Sequence, residues 1–242
     1  MSISRRLLLS SVPAAAVLGV AGPVRAATTD LAVSCDTTLG PAVRAAGAAF
    51  TARTGVRIDV FPTGPGLLLP QLRRQIQNDI IVTSLTTLDD ANDDNLLGKG
   101  KRAGPWIDSL VIAGVSGAPT PSPDAPIAAA DPSPASDIDG VAILAQLGLH
   151  TVPTLGAIDC DGVVFLLNSG AASAGLLHMT DVHANPGLTV LRAIPYNIAS
   201  PLVFAASVTT LSWRPNPQAF VDYLATDEAM AVLANAGLET RS

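Results

Sequence analysis

The chain has 242 residues, with 14 Lys+Arg against 20 Asp+Glu and a formal net charge of −6 at pH 7. That balance repels phosphate backbones and anionic lipid, so no nucleic-acid partner is expected. The length suits one large domain or two lobes with separate cores.

The chain opens with Ser4-Arg5-Arg6-Leu7-Leu8-Leu9 and an apolar stretch from Leu7 to Ala21, followed by Val24-Arg25-Ala26. Small residues at Val24 and Ala26 predict cleavage before Ala27, making residues 1–26 a signal peptide. The apolar run is too short for a span and is broken by Pro13 and Gly19. The Arg-Arg pair suggests the twin-arginine route, and it also fits an ordinary basic start. Cleavage removes three of the 14 basic residues and no acid, leaving a mature charge of about −9. Ala27 stands where a lipoprotein would need cysteine, and no later run approaches membrane length. The expected compartment is the periplasm.

Leu31-Ala32-Val33 predicts a strand and Ser34–Thr38 a polar turn. Leu39, Val43, Ala46 and Phe50 share one face of a helix ending at Gly55. Val56–Val60 is a second strand, Pro62–Gly66 a glycine-rich loop, Leu67–Gln77 a helix and Asp79–Thr83 a buried third strand. This alternation predicts α/β architecture with a parallel sheet covered by helices. Ligands in such sheets bind at the carboxyl ends of strands, here Ser34–Thr38, Pro62–Gly66 and Thr83–Thr87. Those loops are rich in Ser, Thr and Gly, which serve as ligand donors or as helix N-caps.

Leu110–Gly114 is a further strand, and the Pro/Ser-rich stretch 117–126 marks departure from the first unit. Ile127–Ala130 begins a second unit, with helices over Asp137–Leu147 and Val163–Ser169. Strands follow at Ala174–His178, Leu188–Ile194 and Val203–Ser207. Thr180-Asp181 turns away after the first of these, and Asn216–Ala236 is a long helix whose second half begins at Asp227-Glu228.

Five segments then carry a resemblance. Ala49–Val56 resembles "AAFEKKTGV", Phe61–Gly66 resembles "FGGSG", and Asn78–Thr83 is similar to "ADVFIS". Ala174–Asp181 resembles "AGIVYATD", and Phe220–Leu224 resembles "FVDFL". In order and spacing from Asp30 to Leu238, these resemble the periplasmic solute-binding proteins of ABC importers, in the molybdate-binding branch. The resemblance implies two α/β lobes, each with a mixed, mostly parallel sheet flanked by helices, and a ligand cleft at the hinge. Lobe 1 would be 27–112 plus 200–242, and lobe 2 would be 113–199. It implies a monomer that closes on a small ligand, delivers it to an inner-membrane ABC permease, and needs no cofactor.

The family holds its oxyanion with hydroxyls and backbone N–H groups. Its first-loop serine falls on Thr38, and its second-loop serine on Pro65, which has neither hydroxyl nor N–H. Thr63 and Gly64 are the neighbouring substitutes, and Ser84 is a third donor from the first lobe. The second-lobe helix start falls near Ser136-Asp137, and the ligand tyrosine falls on His178. Asp36 and Asp137 add negative charge, which favours a metal cation or an organic solute as the alternative ligand.

His178, Asp181 and His183 have the residue types of a metal cluster, set against a solvated loop with one cleft histidine. Alternation of strand faces argues against convergence, so no metal site is assigned. The chain carries no G-x-S-x-G, H-E-x-x-H, P-loop or dinucleotide motif, so an enzyme is not expected. A ligand chaperone or sensor using the same hinge remains an alternative. Cys35 and Cys160 match no zinc or redox spacing and read as buried thiols, with one disulfide as the alternative. Trp106 and Trp213 are expected to cover core edges.

Overall fold

The computed structural model describes residues 30–64, 66–117, 125–130, 139–149, 155–157 and 159–240. Its strands are β1 (Leu31–Asp36), β2 (Ile58–Thr63), β3 (Ile80–Ser84), β4 (Ala103–Asp108), β5 (Leu110–Val115), β6 (Ile127–Ala130), β7 (Leu155–Ala157), β8 (Ala174–His178), β9 (Leu188–Ala193), β10 (Leu202–Val208) and β11 (Glu239–Thr240). Its helices are α1 (Gly40–Thr54), α2 (Leu68–Arg73), α3 (Leu85–Asp93), α4 (Gly140–Gln146), α5 (Cys160–Asn168), α6 (Met179–Ala184), α7 (Gln218–Leu224) and α8 (Asp227–Asn235).

The strands form two sheets, ordered β11-β4-β10-β3-β1-β2 and β7-β6-β8-β5-β9. β1 pairs in parallel with β2 and β3, and β6 with β7 and β8. β10 runs antiparallel to β3 and β4, and β5 antiparallel to β8 and β9. The sheets are therefore mixed and flanked by helices, with more antiparallel pairing than the local pattern predicts.

Two connections join the sheets. Ser109 alone separates β4 from β5, and residues 194–201 separate β9 from β10. Leu110–Ile112, expected with the first lobe, lie in a strand of the second sheet. At the crossing, the Ser109 hydroxyl donates to Glu239 Oε1 at 2.5 Å and lies 2.9 Å from Tyr196 Oη. Tyr196 in turn donates to the same carboxylate. One acid on β11 thus ties both crossing segments to the first sheet.

The predicted face of α1 is the buried one. Leu39, Val43, Ala46 and Phe50 pack with β1, β3, α7 and α8, where Phe50, Phe220 and Tyr223 form an aromatic cluster. Burying each large apolar side chain contributes roughly 1.5–3 kcal/mol. Gly55 closes α1 at φ 77°, its N–H bonded to Thr51 O, as a left-handed C-cap requires. The opposite face of the first sheet is covered by α2 and α3 through Leu68, Leu72, Ile81 and Leu88.

Several local expectations are corrected. The strand predicted at Leu31–Val33 runs on to Asp36, and the second strand reaches Thr63, so both predicted loops start later. α2 stops at Arg73 rather than Gln77, because Gln75 adopts a left-handed φ of 59°. The loop expected at Thr83–Thr87 is the end of β3 and the first turn of α3. Thr180-Asp181 lies inside α6 rather than in a turn. The long C-terminal helix is two helices: the Thr226 hydroxyl donates to Tyr223 O at 2.7 Å and accepts from Ala229 N–H, ending α7 and capping α8.

Cys35 is buried in the first sheet, and Cys160 begins α5 in the second; both are free thiols. Burial pushes Cys35 up to about 12, helped by the Asp36 charge, and pushes Cys160 up as well. A thiol reagent is expected to titrate two cysteines after denaturation without reductant and to react far more slowly with the native protein. Fewer than two would establish a disulfide.

Candidate ligand cleft

The carboxyl ends of β1, β2 and β3 meet at one edge of the first sheet, and α6 approaches that edge from the second. Parallel register sets this: Asp36 pairs with Thr63, and Cys35 with Val82. Two cavities open here. One, about 300 Å³, lies between α1, α8 and α6 and is lined by Thr38, Pro41, Ala45, Thr180, His183 and Asn235 among others. The other, about 240 Å³, lies between the strand ends and α2 and α3, with Asp36, Arg73, Thr83, Thr87 and Asp90 in its wall.

Thr38 sits in a 3-10 turn, Thr37–Leu39, between β1 and α1, half-buried in the wall of the interlobe cavity. Thr63 is buried, and its hydroxyl bonds back to Phe61 O at 3.3 Å. Gly64 O accepts the Leu67 N–H in a tight turn. The Ser84 hydroxyl is committed to capping α3: it accepts from Thr87 N–H at 3.2 Å and donates to Thr87 Oγ1 at 3.0 Å. Ser84 therefore has no hydroxyl proton left for a ligand, whereas Thr87 does. The signal for Thr87 was the Ser-x-x-Thr spacing at a strand end. Ser136 and Asp137 lie outside the described residues.

Asp36 ends β1 with its carboxylate turned toward β3. The Thr83 hydroxyl lies 3.1 Å from both carboxylate oxygens, and Ser84 N–H adds a further bond. Burial nevertheless dominates and pushes Asp36 up to about 6. Among the described residues, no Lys or Arg nitrogen comes within ion-pair distance of it.

His178 ends β8 opposite Leu110, with 5% exposure. Its backbone N–H donates to Asp181 Oδ2 at 3.1 Å, while the ring Nδ1 is buried without a hydrogen-bond partner. Burial lowers its pKa, against the pull of Asp181, so the ring is neutral at pH 7. Asp181 is pushed up by burial and also takes a bond from the Cys160 thiol. His183 points elsewhere, its Nδ1 lying 3.0 Å from Asn235 O across the lobe interface. His178, Asp181 and His183 do not converge, and among the described residues no group of three metal-ligating side chains is assembled.

Sequence reading missed Asp108. It is wholly buried at the end of β4 and accepts from Thr180 Oγ1 at 2.6 Å, from Thr180 N–H at 3.3 Å and from Met179 N–H. It thus holds the first turn of α6 to the first sheet beside the crossing. Burial pushes it up to about 6 despite these bonds, and Glu239 adds to the rise. Trp106 is a core residue of the first lobe rather than an edge cover. Trp213 is 68% exposed, under the Arg214 guanidinium at 4.5 Å.

The family model for bacterial extracellular solute-binding proteins matches residues 31–239. The chain belongs to this family. Its fold and family are those of solute-binding transport proteins, in which two lobes enclose a cleft like the one described. A search of curated proteins found no match. Among solved structures, a periplasmic molybdate-binding protein from Azotobacter vinelandii superposes with a TM-score of 0.70 at 17% identity, over 88% of this chain and 100% of that one. Peb3 from Campylobacter jejuni does so at 0.67 and 15%, over 88% and 100%, and PEB3 has also been solved with L-phospholactate bound. Iron-bound HitA from Pseudomonas aeruginosa gives 0.62 and 17%, over 85% and 83%. These likenesses establish the two-lobed type II periplasmic binding protein fold. Among the described residues, no helix is long and apolar enough to cross a membrane.

Proposed function

We propose that this protein is the exported solute-binding component of an ABC importer, which captures a small tetrahedral oxyanion between its lobes. The observation that carries this reading is the crevice itself. Donor-rich strand ends of one sheet lie opposite α6 of the other, whose Thr180 and His183 line the cavity with Thr38, across two crossing segments. The first lobe takes the chain up to the crossing at Ser109 and again from β10 onward, and the second lobe takes β5 to β9. Export follows the twin-arginine signal of residues 1–26 to the periplasm, where the monomer presents its closed form to an inner-membrane permease. Ligand contacts to both lobes favour that closed form by their differential affinity. The process is binding without covalent chemistry.

Family relationship and the fold shared with a molybdate-binding protein support the oxyanion class, which includes molybdate and tungstate. Thr38 in the interlobe cavity and Thr87 in the strand-end cavity offer hydroxyls from the first lobe, and His178, buried at the end of β8, is the proposed contact from the second. One observation favours a different ligand, a metal cation or small organic solute held for import or by a periplasmic chaperone. The unpaired Asp36 carboxylate repels an anion by about 1 kcal/mol per unit-charge pair at 4 Å in water, and by more in a dry cleft.

Calorimetric titration of the metal-stripped mature protein with molybdate, tungstate, phosphate and divalent cations tests this, with small-angle scattering to follow closure. One-to-one binding of an oxyanion with compaction is the expected result; a response to cations alone would replace the ligand class. His178→Ala is expected to weaken the oxyanion at least several-fold in a protein that still folds, with some loss of melting temperature because the ring is buried. Unchanged affinity would remove His178 from the site.

A further inference from the structure

The two crossing segments meet at one point. Ser109 is the single residue between β4 and β5, and both its neighbours are fixed in ladders: Asp108 pairs with Leu202 and Leu110 with His178. Peptide planes are stiff, so rotation along this crossing falls on the backbone dihedrals around Ser109. Its carbonyl is also held, accepting from Met179 N–H at 2.9 Å. The second crossing, residues 194–201, contains a compact turn in which Ile198 and Ala199 N–H both donate to Pro195 O. Tyr196 reaches from that turn to the first crossing, where its Oη lies 2.9 Å from Ser109 Oγ.

Glu239 receives both hydroxyls. Ser109 donates to Oε1 at 2.5 Å, and Tyr196 lies 2.8 Å from Oε1 and 3.0 Å from Oε2. Hydrogen bonds to an ionised acceptor are about twice as strong as neutral ones. The acid itself has a firm base. Glu239 pairs with Ile107 and Thr240 with Trp106, while Leu238 before it is buried in the first-lobe core. Tyr196 is 45% exposed, so its ring is not needed to fill either core. What its hydroxyl does is join one crossing to the other.

We propose that Glu239 and Tyr196 are positioning residues for ligand capture: with Ser109 they tie both crossings to the first sheet at one pivot and confine the ligand-free lobes to a narrow range of angles. This rests on reading the protein as a hinge-closing binding protein and adds what sets the stiffness of that hinge. Without the tie, each crossing turns independently, and the lobes twist as well as close. A ligand that closes lobes already aligned pays less conformational entropy than one that must first order them.

Pulsed electron resonance between nitroxide labels on Ala48→Cys in α1 and Asn168→Cys in α5, both exposed positions, tests this in the ligand-free mature protein. One narrow interlobe distance distribution is expected for the parent protein. Tyr196→Phe keeps the ring and removes the hydroxyl; it and Glu239→Ala are each expected to broaden that distribution about twofold. Gly55→Ala strains the backbone far from the crossings and is expected to leave the width unchanged. A Tyr196→Phe width equal to the parent's would overturn the pivot. Equal broadening in Gly55→Ala would overturn it too, by tracing the effect to a general loss of stability. The measurement uses no ligand, so broadening in Tyr196→Phe with Gly55→Ala unmoved supports the pivot even if every oxyanion titration fails. Tight oxyanion binding with an unmoved Tyr196→Phe width would remove the pivot and leave the binding reading intact.

Discussion

Asp108→Ala is expected to lower the unfolding free energy by about 3 kcal/mol at pH 5, and by less at pH 7.5. The side chain is wholly buried and accepts from Thr180 Oγ1, Thr180 N–H and Met179 N–H. Alanine leaves three donors without a partner in a place water does not reach, and each lost bond of this kind costs about 1–3 kcal/mol before relaxation. The pH dependence follows from the raised pKa. Burial holds Asp108 near 6 against an ordinary 3.8, so between those values the folded state binds the proton and the unfolded state does not. Stability contributed by this group therefore falls as pH rises through that window, by roughly 3 kcal/mol over about two pKa units. The fall is complete above pH 6, where the buried carboxylate is ionised without a cation. Alanine has no such titration, so its deficit against wild type widens on acidification. Urea unfolding at pH 5 and 7.5 checks the direction. A deficit that shrinks at pH 5 would mean that the three donors outweigh burial and hold Asp108 below its ordinary value.

The same carboxylate explains how far the sequence could be read. The first α/β units were legible because their signals are local. Leu39, Val43, Ala46 and Phe50 recur at helical spacing, Gly55 supplies the left-handed cap, and Ile80-Ile81-Val82 is an unbroken buried run. That order placed three strand ends together and singled out Asp36, which the structure puts in a cavity wall. The failures are long-range or masked by composition. The Leu85–Asp93 helix is short and largely polar, with Leu88 and Ala91 its buried residues, and Gly104-Pro105 disguises β4. Asp108 meets Thr180 at a separation of 72 residues, and Ser109 meets Glu239 at 130. No periodicity joins residues so far apart; only sheet topology does. Ser84 illustrates a subtler miss, in which residue type was right and role was not. A serine at a strand end is equally suited to a ligand or to an N-cap, and Thr87 N–H decides for the cap.

Gly237→Ala is the second large effect, and it tests whether contact between the lobes is as tight as the hinge geometry implies. Gly237 follows α8 in the first lobe at φ 100°, a conformation that L residues rarely adopt. A methyl group there would stand 2.8 Å from Met179 O and 3.0 Å from Thr180 N, at the start of α6 in the second lobe. Both are backbone atoms, so neither can swing aside as a long side chain would. Strain of this kind costs on the order of 1–3 kcal/mol, and displacing α6 also lengthens the Thr180 bonds to Asp108. We expect a total near 3 kcal/mol, or a melting temperature lower by roughly 6–12 °C for a chain of this size. Gly55→Ala is the control: it also has positive φ, at 77°, but a methyl there meets nothing within 4 Å. Its cost should be backbone strain alone, about 1 kcal/mol. The difference between the two variants isolates the steric contact across the hinge. Equal losses would mean that α6 yields freely, and that the lobes are coupled through the crossing segments rather than through this packed contact.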